Sequence, residues 1–196
     1  MKSGIVRNII LLLVILVNIY LVLTLFPKKS KPISERIITV QDQMIQDVII
    51  QLLESQNKKI ADSTYFTATN NLRYSTGDLV GARDTWFLYL PSKSCHNCLS
   101  NILADIEVYW GNEQLNKIIF YTSFNDNQSV AEIEKDFEIP VLNIGNNYLG
   151  IPHERRQEYF IFCLDREERV KYFFPLNQDR PKLNILFFRF IRTQTT

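Results

Sequence analysis

The sequence has few of the residues that build special chemistry: three cysteines and two histidines among 196 residues. Three cysteines are too few for the disulfide frameworks that stabilise small secreted domains. The charges nearly cancel, with 22 basic against 21 acidic residues, and no basic patch stands out along the body of the chain, so nucleic acid is excluded as an expected partner. No internal repeat or low-complexity tract is present.

One long apolar run lies near the start of the chain. Residues 9–26 read IILLLVILVNIYLVLTLF, which is about the length of a helix that spans a bilayer. The run ends without a small-residue cleavage site, so we expect an uncleaved anchor over residues 1–27. Basic residues lie on both sides of the run, and counting them slightly favours a cytoplasmic body. About 170 residues remain, enough for one domain.

Residues 28–58 are predicted to form a linker and a stalk helix. The segment ISERIITVQDQMIQDVIIQLLESQ repeats apolar residues at helical spacing, with Ser34 as its N-cap. Ile38, Ile45 and Leu52 share one heptad column, but the second column is partly polar. Packing of this helix on its own domain is therefore favoured, and a homodimer through the stalk is the alternative.

Residues 59–196 are predicted to form one α/β domain. A β-hairpin is expected within residues 62–80, and the apolar run TWFLYL at Thr85–Leu90 predicts a buried strand. A helix follows, with apolar residues at 99, 102, 103 and 106. The later predicted elements are strands at 117–122 and 140–144, a helix opened by a capping box at Ser129 and Glu132, a hairpin of 159–164 with 169–174, and a last helix beginning at Pro181. The order is βαβαβ followed by ββα.

Cys95 and Cys98 fall in SKSCHNC, between the predicted strand and helix. Covalent haem attachment is excluded because Leu99 stands where C-x-x-C-H needs histidine. A structural zinc site is disfavoured because it needs four ligands and the chain has no second C-x-x-C. A copper site of the two cysteines and His153 is an alternative, since thiolates suit Cu(I). Cys163, within an apolar strand, is expected to be a buried, inert thiol.

The segments TWFLYLPSKSCHNC, YFIFCLD and RVKYFF resemble the strand, active loop and terminal hairpin of the thioredoxin-like fold over residues 85–192. With the apolar run, the chain resembles membrane-anchored bacterial thiol-disulfide oxidoreductases, including those of cytochrome c maturation. The resemblance implies a three-layer sandwich around a central mixed sheet. It also implies protein thiols or disulfides as partners, and no cofactor beyond a redox-active Cys95–Cys98 disulfide.

Within this resemblance Cys95, at the exposed start of the helix, is the attacking thiolate and Cys98 the resolving thiol, because the positive end of a helix lowers the pKa of a cysteine there. His96 and Asn97 lie between them and are candidates for tuning the pair. A protonated His96 would favour the thiolate.

The chain also departs from the family pattern. The cis-proline that normally faces the pair would fall near Glu158 or Tyr159, and Pro152 is the nearest downstream proline; these three are candidate substrate-groove residues. Tyr89 stands where some thioredoxins have a buried acid. A peroxidase is disfavoured because Leu88 occupies the position of that family's proline.

We therefore expect a single-pass protein of the bacterial inner membrane, with its body on the periplasmic or otherwise extracytoplasmic side, where disulfide chemistry persists. The expected activity is exchange of disulfides with protein thiols. Two alternatives belong to other functional classes. One is a copper-binding carrier, and the other is a non-catalytic membrane-tethered module that engages a partner through the stalk helix and the FFRF segment.

Overall fold

The computed structural model describes residues 45–61, 64–81, 83–93, 95–177 and 181–195. The predicted anchor over residues 9–26 and the predicted start of the stalk helix lie outside this part of the chain. Among the residues described, none of the helices has the length and apolar character needed to cross a membrane. One compact unit spans Gln46–Thr196.

The helices and strands follow the predicted order. Residues 45–55 are helical and form α1. Strands β1 to β7 cover Tyr65–Thr67, Arg73–Ser75, Thr85–Leu90, Ile118–Thr122, Val141–Asn143, Phe160–Leu164 and Val170–Pro175. Helices α2 to α6 cover Thr76–Leu79, His96–Tyr109, Asn112–Leu115, Asn127–Phe137 and Pro181–Thr195, and a 3-10 helix covers Pro152–Arg156.

The strands form one mixed sheet in the order β2-β1-β5-β4-β3-β6-β7. β3, β4 and β5 are parallel neighbours, whereas β6, β7, β1 and β2 join antiparallel. β3 lies between β4 and β6, and its carboxyl end leads directly to the cysteine pair. This arrangement is a mixed α/β sheet with helices, consistent with the thioredoxin-like fold.

β3 is buried on both faces, as its continuous apolar sequence predicted. Trp86, Leu88 and Leu90 belong to the core on one face of the sheet. Phe87 and Tyr89 alternate with them and belong to the core on the other face. Covering both faces explains why the strand reads as an unbroken apolar run rather than as alternating apolar and polar residues.

The first core is covered by helices. Leu99, Ile102 and Ile106 of α3 are buried there, together with Phe188 and Ile191 of α6. Each such side chain contributes roughly 1.5–3 kcal/mol by its burial. Because Leu99 lies in the first turn of α3, this packing fixes the amino-terminal end of the helix against β3.

The opposite core is covered largely by the chain that follows β5. Ile144, Leu149 and Ile151 are buried against the sheet, with Phe66 of β1 beside them. Ile60 and Val80, from other parts of the chain, also belong to the layer on this face.

The start of α5 differs from the prediction. The helix begins at Asn127, and the Asp126 carboxylate caps it by accepting a hydrogen bond of 2.7 Å from the backbone N–H of Ser129. The capping box predicted at Ser129 and Glu132 was wrong, because Asp126, an equally favoured N-cap residue, lies three residues earlier and caps the helix.

Candidate active site

The cysteine pair lies at the amino-terminal end of α3. Cys95 is the N-cap residue and is joined to Cys98 by a disulfide, with their Cα atoms 5.2 Å apart. The backbone N–H of Cys98 donates to Cys95 Sγ at 3.2 Å. Cys95 is exposed and Cys98 is half-buried. The first sulfur therefore faces solvent at the point where the unpaired N–H groups of the helix converge.

A groove separates the start of α3 from α5. Its lining consists of Ser92, Cys95, His96, Leu99, Phe124, Ser129, Glu132, Ile133, Asp136 and Phe137. The apolar members form part of the core, whereas Glu132 and Asp136 add two carboxylates to the α5 side. Cys95 is thus reachable from a cleft with mixed apolar and acidic walls.

The two residues between the cysteines lie in different surroundings. The His96 ring packs on Phe137 with centroids 4.5 Å apart, and its Nδ1 lies 3.8 Å from Asp136 Oδ2. His96 therefore shares the groove with Cys95. Asn97 is exposed in the same helical turn, outside the residues that line the groove.

Two of the predicted groove residues lie outside the groove beside the cysteine pair. Pro152 opens the 3-10 helix, Tyr159 is buried, and the Glu158 carboxylate lies 2.9 Å from Nε2 of His153. Neither Glu158 nor Tyr159 lines the groove beside Cys95. No cis peptide bond occurs among the described residues. Glu158 and Tyr159 therefore lie outside this groove, and the substrate-groove role of Pro152 stays a prediction.

Gln157 is the residue from the loop before β6 that contacts the approach to the disulfide. Its Oε1 accepts hydrogen bonds from the Ser92 backbone N–H at 3.1 Å and from the Ser92 hydroxyl at 2.7 Å. Its Nε2 donates to the Tyr89 hydroxyl at 3.1 Å, and that hydroxyl shares a 2.8 Å hydrogen bond with Ser123. Gln157 has left-handed backbone angles, φ 54 and ψ 43. A glutamine within the charged run ERRQE carries no local signal for this role.

Glu154 is a second residue that the sequence did not reveal. Its carboxylate is 1% exposed and accepts hydrogen bonds from the backbone N–H groups of Leu149, Gly150 and Ile151, each at 3.1–3.2 Å. The Tyr121 hydroxyl donates to it at 3.4 Å. Burial raises the pKa of Glu154 to about 7, although the backbone hydrogen bonds act in the opposite direction. This carboxyl group holds the 149–151 loop on the sheet.

Tyr89 occupies the position six residues before Cys95. Burial raises the pKa of its phenol above the usual value of 10.0. The side chain is therefore a neutral hydroxyl at physiological pH and serves as a hydrogen-bonding group. Its hydroxyl accepts a hydrogen bond from Gln157 Nε2 and shares another with the Ser123 hydroxyl.

The alternative copper site is not assembled. Within the part of the chain that the structure describes, no three His, Cys, Asp or Glu side chains are grouped to hold a metal. His153 is 2% exposed and lies edge-on to Phe160 and Phe173, beside Glu158. His153 packs in the aromatic core and, among the described residues, is not grouped with Cys95 and Cys98 as the predicted ligand set requires.

Cys163 lies in the buried strand β6 with no exposed surface. Burial raises the pKa of its thiol to about 12. A thiol in this state is neither a nucleophile nor a metal ligand at neutral pH. The expectation that Cys163 is buried is confirmed, and its lack of reactivity stays a prediction.

No family model matches this sequence, and no curated protein matches it significantly. Similar solved structures include peroxidoxin BcpB from Mycobacterium tuberculosis, with a TM-score of 0.48 and 11% identity over 70% of this chain and 98% of that one. Another is the mitochondrial 2-cys peroxiredoxin of Plasmodium falciparum, with a TM-score of 0.45 and 12% identity over 72% of this chain and 96% of that one. These values are too low to identify a family or an activity. The fold assignment rests on the strand order and on the placement of α3 after β3.

Proposed function

We propose that this protein is a thiol-disulfide oxidoreductase that exchanges disulfides with protein thiols through Cys95 and Cys98. The observation that carries the proposal is the disulfide at the start of α3, with Cys95 exposed in an open groove and Cys98 half-buried behind it. An exposed, reversible disulfide at a helix start has the access that exchange requires.

The position of Cys95 favours its thiolate. The helix start places a partial positive charge there, and the Cys98 backbone N–H donates directly to the sulfur. Both effects stabilise a negatively charged sulfur more than a neutral thiol. Cys95 is thus the better leaving group when a mixed disulfide with a partner is resolved, and the better nucleophile when the dithiol attacks a partner.

The reaction is a two-electron exchange. In one direction, a partner thiolate attacks Cys95 Sγ, a new S–S bond forms, and the Cys95–Cys98 bond breaks, leaving the Cys98 sulfur to take up a proton. A second partner thiolate then attacks the partner's own sulfur in the mixed disulfide and releases Cys95 as a thiolate. The partner loses two electrons and the pair gains them. The reverse sequence reduces a partner disulfide, with Cys98 as the resolving thiol.

We place the substrate in the groove between α3 and α5. Leu99, Ile133 and Phe137 give it apolar surface, and Ser92 and Ser129 give it polar groups. A polypeptide segment that presents a cysteine can bind such a surface without entering a closed pocket. No bound cofactor takes part in this mechanism, because the disulfide itself carries the electrons.

Attachment to a membrane through residues 9–26, with the body on the extracytoplasmic side, completes the proposal. It is supported by the apolar sequence of that run and by the persistence of disulfide chemistry outside the cytoplasm. A reporter that is active only in the cytoplasm, fused after Thr196, should be silent. An active cytoplasmic fusion would contradict this location without affecting the chemistry of the pair.

The main test is trapping of mixed disulfides. In a Cys163→Ser background, Cys98→Ser leaves Cys95 without its resolving thiol, so disulfide-linked partners should accumulate and disappear on reduction. Cys95→Ser is the matched control, because the half-buried Cys98 should trap few partners. Absence of any adduct in the Cys98→Ser protein, under conditions in which it is folded, would refute exchange with proteins.

A further inference from the structure

The turn between β3 and Cys95 is held by a side chain from a distant part of the chain. Ser92 lies three residues before Cys95, and both of its hydrogen-bond donors are directed to Gln157 Oε1, at 3.1 Å from the backbone nitrogen and 2.7 Å from the hydroxyl. Gln157 is 65 residues away in sequence. Because Ser92 and Cys95 line the same groove, this contact borders the disulfide itself.

The amide of Gln157 suits this place because it both accepts and donates. While Oε1 accepts from Ser92, Nε2 donates to the Tyr89 hydroxyl at 3.1 Å. Tyr89 is fully buried in β3 and its hydroxyl is shared with Ser123 at 2.8 Å. The turn is thereby fastened to the rigid end of β3. An asparagine would be one methylene too short to make the same contacts.

We propose that Gln157 is a positioning residue for Cys95: by fastening the turn at Ser92, it keeps Cys95 Sγ at the start of α3, within reach of the Cys98 N–H. This role rests on the proposed function of the pair. It matters most after reduction, because the covalent bond that joins Cys95 to Cys98 is then absent. The turn that precedes Cys95 must hold the sulfur in place instead.

Loss of the contact between Gln157 and Ser92 should therefore raise the pKa of Cys95 in the reduced protein. A sulfur that drifts from the helix start loses both the hydrogen bond from Cys98 and the favourable field of the helix. The other charged or titratable groups near Cys95 are Lys93 in the turn, His96 and Cys98 on α3, and Glu132 and Asp136 on α5. All of them are retained in the variants below, so a shift reports the position of the sulfur.

The test uses Gln157→Met, which keeps the length of the side chain but removes its hydrogen bonds to Ser92 and Tyr89. The measurement is the rate of Cys95 alkylation against pH in the reduced full-length protein with Cys163→Ser. At pH values well below the Cys95 pKa, we expect alkylation to slow by about tenfold, which corresponds to a rise of about one pKa unit. Gln157→Asn, which keeps a tolerance for left-handed backbone, should behave like Gln157→Met. Gln114→Met, on α4, is the matched control and should leave the profile unchanged.

Ser92→Ala supplies a second, milder test if Gln157→Met does not fold. It removes only the hydroxyl donor, so a smaller shift in the same direction is expected. The double variant Ser92→Ala with Gln157→Met should show the same shift in the Cys95 alkylation profile as Gln157→Met alone. Both changes remove the same hydrogen bond between Ser92 and Gln157.

An unchanged Cys95 profile in folded Gln157→Met would overturn the proposal, as would full additivity of the two changes. These results are separable from the trapping experiment. Trapped partners together with an unchanged profile would refute only the role of Gln157. A shifted profile without trapped partners would support the positioning role and refute exchange with proteins.

Discussion

The imidazole of His96 lies against the ring of Phe137, with centroids 4.5 Å apart and planes inclined by 32°. This contact joins the first turn of α3 to the last turn of α5, and it places His96 Nδ1 3.8 Å from the Asp136 carboxylate. Both side chains border the groove that contains Cys95. Their effects on the sulfur are opposite in sign, because a cation favours the thiolate and an anion disfavours it.

His96→Ala should make the disulfide harder to reduce, since a protonated imidazole no longer favours the dithiol form. Asp136→Asn should make it easier to reduce. We expect a change of a few-fold in each equilibrium constant, measured against a glutathione redox buffer at pH 6, because both side chains are more than half exposed and screened by solvent. Asn97→Ala, in the same turn, is the control and should have little effect. Shifts in the same direction for His96→Ala and Asp136→Asn would contradict this electrostatic account.

Cys163 should remain unmodified while the protein is folded. Reduction followed by iodoacetamide at pH 8 should add two carbamidomethyl groups, because the Cys163 thiol is fully buried and its pKa is raised to about 12. Intact-mass analysis would show two adducts in native protein and three after denaturation. A third adduct that forms rapidly in the native state would show that β6 opens or that the thiol is accessible.

Glu154 should make stability fall as the pH rises from about 4.5 to 7. Burial raises the pKa of Glu154 from 4.5 to about 7, so in this range the native state holds a proton that the unfolded state has released. The stabilising contribution is therefore complete below pH 4.5 and is lost as pH rises through 7. The difference of about 2.5 units corresponds to roughly 3 kcal/mol of unfolding free energy.

The titration of His153 makes stability rise with pH, opposite to the effect of Glu154. A variant that changes only Glu154 is therefore needed to measure its contribution. Burial lowers the pKa of His153 below 6.5 despite the neighbouring Glu158 carboxylate, and its contribution is lost as pH falls below 6.5. Glu154→Gln retains that effect and removes the carboxyl group. We expect the unfolding free energy of the wild type minus that of Glu154→Gln, measured by urea at several pH values, to decrease as pH rises. Parallel curves would show that Glu154 does not titrate in this range.

Much of the fold could be predicted from sequence because its signals are local. The continuous apolar run of β3, the helical spacing of Leu99, Ile102 and Ile106, and Pro181 at the start of α6 depend only on neighbouring residues. The N-cap of α5 was misplaced because two capping candidates, Asp126 and Ser129, compete within one turn. Their competition is decided by backbone geometry that composition does not encode.

The sequence by itself determined where Cys95 and Cys98 lie: between a buried strand and an amphipathic helix, at the helix start. Only the tertiary structure decided which groups surround it. Gln157 reaches Ser92 and Glu154 reaches Tyr121 because the loop before β6 folds back on the sheet, and the same folding draws His153 into an aromatic core. Contacts between residues so far apart in the chain depend on the path of that loop, which follows from the packing of many side chains and from no local pattern.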